Sequence, residues 1–350
     1  MSTTSYTGSG QPPIIIKHKS SALPPAIVAL AVIALIGLVL VMGGFVLLAL
    51  MMPKSLPDRD LESSFVAGDR KASDEAVLIQ VEGVIIEEPG EPPFSSGRDP
   101  VARVKKRLEK AVRDKAKAVI LEVNSPGGGI TASDLLYREI KRFKKEHPEI
   151  PVVVQMKDLA ASGGYYISAP ADWIVAMPTT LTASIGVILM QYNVKGLLDE
   201  KLGIKTESFV SGSHKDILSP YRDMTEDERK HVQGLIEEMF ENFVHVVVDG
   251  RKGKVDAEQV RALQGTILSG RQALEKGLVD QLGTLDDAVA KAAELAQVKS
   301  LRVIRYARPK SALESLFEAR IESNVQIGPT FDLKTYLDRG GSPFMYLWRL

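Results

Sequence analysis

A hydroxyl set among small residues where an apolar run ends is positioned to act as a nucleophile, and Ser162 has that setting. Pro151-Val152-Val153-Val154 reads as a strand that runs through Gln155-Met156-Lys157-Asp158-Leu159 into Ala160-Ala161-Ser162-Gly163-Gly164-Tyr165-Tyr166. Where a strand turns into a helix, such a hydroxyl is sterically reachable and lies near backbone N–H groups that stabilise an oxyanion. A second run, Ala118-Val119-Ile120-Leu121-Glu122-Val123, ends in Asn124-Ser125-Pro126-Gly127-Gly128-Gly129. Three glycines there leave backbone amides uncovered for a substrate carbonyl.

A serine needs a base to attack at neutral pH. Five histidines are available. His18 precedes a long apolar segment and His147 lies at a charged helix end. His231 and His245 share one long helix, where packing or surface roles suffice. His214 stands beside Lys215 in Ser211-Gly212-Ser213-His214-Lys215-Asp216-Ile217-Leu218-Ser219-Pro220. A lysine serves as a base only if desolvation or a nearby cation brings its pKa from ~10.4 toward neutrality. A carboxylate facing it does the reverse, so a catalytic Lys215 requires Asp216 to point elsewhere. Residue chemistry alone leaves His214 and Lys215 both open.

Other chemistries find no support. There is no cysteine, hence no thiol catalysis, disulfide or thiolate metal site. Gly250-Arg251-Lys252-Gly253-Lys254-Val255 lacks the spacing and the Ser/Thr of a P-loop, and no His-Glu-x-x-His helix or Gly-x-Ser-x-Gly elbow occurs. No metal and no cofactor are expected. A net charge of zero, with Lys105, Lys106, Arg107 and Lys110 interleaved with carboxylates, points away from nucleic acid.

The elements that must position Ser162 alternate along the chain. A strand is expected around Ala76 to Ile86, a Pro/Gly/Ser-rich loop from Pro89 to Pro100, a helix from Val101 to about Lys115, and then the strand ending at Asn124. The next helix starts near Ala132, with Leu135, Leu136, Ile140 and Phe143 on one face, and Pro148 closes it. Strand–helix repetition of this kind predicts parallel βαβ units. Further on, short strands are expected at Trp173–Ala176 and Ile185–Met190, a helix at Val194–Leu202, and a strand at Thr206–Val210. A long helix from about Thr225 to Val248 opens with a Thr225/Glu228 capping box, and shorter helices fill 256–296.

Five segments result: a polar tail, 1–25; an apolar segment, 26–52; a linker, 53–74; a folded domain, 75–298; and a C-terminal extension, 299–350. The 27 uncharged residues of 26–52 would span ~40 Å as a helix, enough for a ~30 Å hydrocarbon core, so a transmembrane anchor is expected there. Lysines on both flanks leave its orientation open. The apolar terminus, with Phe344, Tyr346, Leu347 and Trp348, is expected to dock in the substrate groove or at a subunit interface.

The motif order closely resembles the signal peptide peptidase A (SppA) family of Ser/Lys membrane proteases, of ClpP/crotonase fold. The resemblance covers about residues 76–296. It rests on Asn124-Ser125-Pro126-Gly127-Gly128, Ala161-Ser162-Gly163-Gly164-Tyr165-Tyr166, Thr182-Ala183-Ser184-Ile185-Gly186-Val187, Ser213-His214-Lys215-Asp216 and Ser269-Gly270-Arg271-Gln272-Ala273. Ala183 departs from a frequent glycine.

The resemblance implies an α/β spiral of ββα/βαβ units behind the transmembrane helix. Ser162 would be the nucleophile, Lys215 the general base, Ser184 a serine holding the lysine, and Gly127 or Gly128 with Gly163 the oxyanion hole. It further implies a membrane-anchored serine endopeptidase for remnant signal peptides and other hydrophobic peptides, taken up by β-strand addition. The bilayer would be a partner, with a single-pass cytoplasmic-membrane location and the catalytic domain on the outer side. Self-association is also implied, up to an octamer, with the dyad completed between protomers. A stomatin-associated type of membrane-protein-specific protease and a non-catalytic scaffold are the alternatives.

Overall fold

The computed structural model describes residues 26, 27, 29, 30, 33, 35–40, 42, 43, 61–87 and 99–307, and the backbone of 344–347. The chain divides into two compact units, Met1–Arg59 and Asp60–Leu350.

In the second unit the strands are β1 (Glu62–Gly68), β2 (Glu75–Glu82), β3 (Ala118–Ser125), β4 (Gly127–Gly129), β5 (Val152–Ala161), β6 (Trp173–Ala176), β7 (Leu181–Ala183), β8 (Ile188–Leu189), β9 (Ile267–Ser269), β10 (Gln281–Leu282), β11 (Arg302–Ala307) and β12 (Phe344–Leu347). The helices are α1 (Pro100–Arg113), α2 (Ile130–Glu146), α3 (Gly163–Ser168), α4 (Glu226–Gly250), α5 (Ala257–Arg261), α6 (Gly270–Glu275) and α7 (Leu285–Leu295), with a π-helical turn at Leu197–Leu202.

The main sheet runs β1-β11-β2-β3-β5-β6-β10, with β7 beside β5 and β9 beside β7. From β11 to β10 every pairing on this path is parallel, whereas β1 and β9 pair antiparallel with their neighbours. Its central strands are apolar on both faces because both are covered. Val77, Ile79, Val119, Leu121, Val152 and Val154 belong to the core shared with Leu108 of α1 and Leu136 and Ile140 of α2. Ala76, Leu78, Ile120 and Val153 pack in a second cluster with Ala288 and Ala292 of α7. Local signals set the helix starts: the Asp99 carboxylate accepts from Val101 N–H at 2.8 Å, and Thr225 and Glu228 form the capping box of α4. The far end of α4 is fastened by Arg251, 1% exposed, whose guanidinium donates to both Asp280 carboxylate oxygens at 2.7 and 2.8 Å.

Several expectations are corrected. Among the described residues no helix is long and apolar enough to cross a membrane. Residues 26–52 lie partly outside the described residues. The transmembrane helix, the membrane-protease reading, the bilayer as partner and the single-pass cytoplasmic-membrane location are therefore set aside. The ClpP/crotonase-like spiral with such a helix is replaced by a mixed α/β domain around one open sheet, because β1 and β9 add antiparallel edges to the parallel centre.

The sheet also recruits β1 from the stretch read as linker and β11 from the stretch read as extension; β1 pairs with β11, and β11 with β2. Ile185–Met190 yields only β8, and Thr206–Val210 is no strand: with no neighbouring strand to pair, Phe209 is 89% exposed. The 1–25 tail, most of the Pro89–Pro100 loop and 308–343 lie outside the described residues.

Candidate active site

Ser162 occupies the turn between β5 and α3 with φ 53° and ψ −116°. A non-glycine residue there costs ~1–3 kcal/mol, a strain tolerated where the surroundings over-determine the backbone. They do so here. Ser162 N–H donates to Ala183 O at 2.8 Å, and its own carbonyl accepts from Tyr166 N–H at 2.9 Å. Buried α3 is locked from below: Tyr165 OH donates to Leu278 O at 2.8 Å, Tyr166 OH to Asp134 at 3.0 Å, and the Tyr166 ring lies edge-on to Tyr137 and Phe243. Burial pushes the Tyr165 hydroxyl pKa upward, so it stays a donor. A strained strand-to-helix turn thus exists at Ser162 without the Gly-x-Ser-x-Gly signature.

The glycine run lies against this turn. A Cβ on Gly163 would meet Ser133 Oγ at 2.6 Å, Gly127 Cα at 3.0 Å and Gly128 N at 3.1 Å, and one on Gly164 would meet Ser125 O at 2.7 Å. The small residues after Ser162 are what let α3 touch β4. The two candidate amides of β4 differ. Gly127 N–H donates to Ser125 Oγ at 3.1 Å. Ile85 N–H donates to Gly127 O and Gly129 N–H to Ile85 O, at 2.9 and 2.8 Å. Alternation along the strand then turns the Gly128 N–H and C=O toward the opposite edge, where Tyr346 of β12 is its partner. Gly163, first in α3, has an N–H without an intrahelical acceptor.

Ser184 is brought to the same place by sheet register. Ala161 pairs with Ala183, and Ser184 N–H donates to Thr266 O at 3.1 Å. Ala183 and Ser184 both hold positive φ, 62° and 49°. The departure from glycine at 183 thus falls where glycine would be unstrained.

Lys215 is not brought to this cluster. It lies in an exposed turn, and among the described residues its side chain has no hydrogen-bond or ion-pair partner. Asp216 points elsewhere, onto Arg222 at 2.7 Å, and the Arg222 hydrogen bonds hold its carboxyl below the usual range. Of the histidines, His214 lies 3.3 Å from Asp227 and stacks on His231 with centroids 6.2 Å apart, while His147 lies 3.6 Å from Glu149. Among the described residues no group of three or more His, Cys, Asp or Glu could hold a metal ion. Sequence reasoning did not single out Arg222, which no local motif marks, and it did not foresee the pairing of β8 with β12, which joins residues far apart in the chain.

The model for Peptidase family S49 matches residues 144–299, which include Ser162, Gly163, Ser184 and Lys215. A putative signal peptide peptidase SppA of Enterococcus faecium is 44% identical over 202 residues, 57% of either chain. A putative protease, slr0021, of Synechocystis is 39% identical over 193 residues, 55% of this chain and 68% of that one. Protease 4 of Salmonella typhi is 38% identical over 206 residues, 59% of this chain and 32% of that one. This chain therefore spans less than two thirds of the Enterococcus and Salmonella proteins. A solved structure of the 1510-N membrane-bound stomatin-specific protease, a mutant with a substrate peptide, is 16% identical at TM-score 0.44 and covers 72% of this chain and 99% of that one.

Proposed function

The chain belongs to peptidase family S49, a family of Ser/Lys-dyad serine proteases, and on that premise we propose that it is a serine endopeptidase acting on extended apolar peptides. The observation that carries this reading is β12, an extended segment paired antiparallel with the glycine strand β4 on one side and with β8 on the other. A groove of this kind takes a peptide by strand addition, through main-chain hydrogen bonds.

Ser162 Oγ would attack the scissile carbonyl while Lys215 takes its proton and returns it to the leaving amine; water then hydrolyses the acyl-enzyme. Gly128 and Gly163 would donate to the oxyanion, with Gly127 shaping the turn, and Ser184 would hold the lysine amine. Because Lys215 is exposed and its side chain has no partner among the described residues, the dyad is proposed to close between protomers of a homo-oligomer. Cleavage of a fluorogenic apolar peptide by the full chain tests the reading. Activity should vanish in Ser162→Ala and in Lys215→Ala and return when the two variants are coassembled. An inactive mixture with verified subunit exchange would refute the shared dyad.

A substrate strand and β12 compete for the same edges. Removing residues 343–350 is expected to lower KM at least threefold with kcat unchanged, since a tethered strand competes at about millimolar effective concentration. An unchanged KM would remove β12 from the substrate path.

A further inference from the structure

Lys215 lies in a turn closed by Lys215 N–H to Gly212 O at 3.0 Å and Ser219 N–H to Asp216 O at 2.8 Å. Nothing in that turn by itself fixes where the lysine sits. Arg222, seven residues on, does so from outside. Its Nε and Nη2 donate to Asp216 Oδ2 and Oδ1 at 3.0 and 2.7 Å, and Nη2 also reaches the Asp216 carbonyl at 3.3 Å. Its Nη1 and Nη2 donate to Glu228 Oε2 and Oε1 at 2.9 and 2.5 Å. Glu228 is 1% exposed and accepts Thr225 N–H at 2.8 Å, so it belongs to the capping box of α4. One guanidinium therefore ties the lysine turn to the start of a helix whose other end is rooted in the core.

We propose that Arg222 is a positioning residue for Lys215: it fixes the turn on α4 and keeps the Asp216 carboxylate turned away from the lysine amine. The inference rests on Lys215 being the general base. Only arginine offers a planar fork that engages two carboxylates at once. The three groups remain charged at neutral pH: Arg222 holds Asp216 low and, ahead of the Thr225 N–H, brings Glu228 to about 2, while both carboxylates raise Arg222. The other charged or titratable groups around the turn are His214 with Asp227, His231 on α4, and Asp223, which pairs with Lys195 at 2.6 Å.

A base must be neutral to accept a proton, so kcat/KM rises with pH through its pKa, and a freed carboxylate beside it moves that rise upward. In the full chain, Arg222→Ala is expected to shift the acid limb of kcat/KM up by about one pH unit. Asp216→Asn should shift it down, because the cation then stands without that carboxylate. The double variant should return toward wild type, a rescue that loss of structural support alone would not produce. An unmoved limb in Arg222→Ala, or a moved limb that Asp216→Asn does not restore, overturns the proposal. If Arg222→Ala does not fold, Asp216→Asn decides alone, and an unmoved limb there overturns it. Lys215→Ala is run in parallel: retained activity would overturn the base assignment itself, independently of any effect at Arg222.

Discussion

Ser162→Ala is expected to lower kcat about 10⁶-fold, the size of loss seen when a serine nucleophile is removed from a model protease. The fold should survive, because the turn is held by backbone bonds to Ala183 and Tyr166 and by the buried tyrosines of α3 rather than by the hydroxyl. The strained backbone adds a second readout. With φ at 53°, glycine is unstrained where alanine is not, so Ser162→Gly should be inactive yet more stable than Ser162→Ala by about 1 kcal/mol. Peptide turnover and chemical denaturation of the two variants measure both effects. Residual turnover within tenfold of wild type would remove Ser162 as nucleophile, and an alanine variant more stable than the glycine variant would contradict the strain.

Gly128→Ala is the second large effect. A Cβ there would lie 1.9 Å from Ile85 O and 2.6 Å from its carbonyl carbon, and these are backbone atoms that cannot rotate aside. The strand must move off Ile85, breaking the two hydrogen bonds that clamp Gly127 and Gly129 and carrying the Gly128 amide away from Ser162. Loss of one oxyanion donor costs roughly 10²–10³ in kcat, and displacement of the strand proposed to pair with the peptide should raise KM as well. A single-turnover acylation assay separates the two. Normal acylation by a folded variant would show that the oxyanion is held elsewhere.

Much of this site was legible before any folding was considered. The run from Ala160 to Tyr166 carried part of its own explanation, small residues where a strand turns into a helix, whereas the anchoring of α3 by Tyr165 and Tyr166 appears only in the fold. The apolar strands at 118–123 and 152–154, the helix faces through Leu136 and Ile140, and the Thr225/Glu228 cap are short-range patterns, and local patterns are readable in a linear chain. Strands β1 and β11 were not. They are more than 230 residues apart; β1 pairs with β11 and β11 with β2, so neither has a local signature that separates it from linker. For the apolar run at 26–52, composition alone set a length matching a membrane span, and among the described residues no helix is long and apolar enough to cross one.

Residue types and spacing by themselves determined which side chains could do chemistry: a serine between small residues, a run of glycines, and a histidine or a lysine, His214 or Lys215, with a troublesome aspartate beside it. Only the tertiary structure decided which groups meet. Register set Ala183 against Ala161 and so Ser184 beside Ser162, the Ile85 hydrogen bonds to Gly127 and Gly129 turned the Gly128 amide to the opposite edge, β12 filled the edge between β4 and β8, and Asp216 paired with Arg222. The physical reason is that hydrogen-bond direction and strand register depend on partners distant in sequence, whereas propensity, turn chemistry and steric size belong to each residue and its neighbours.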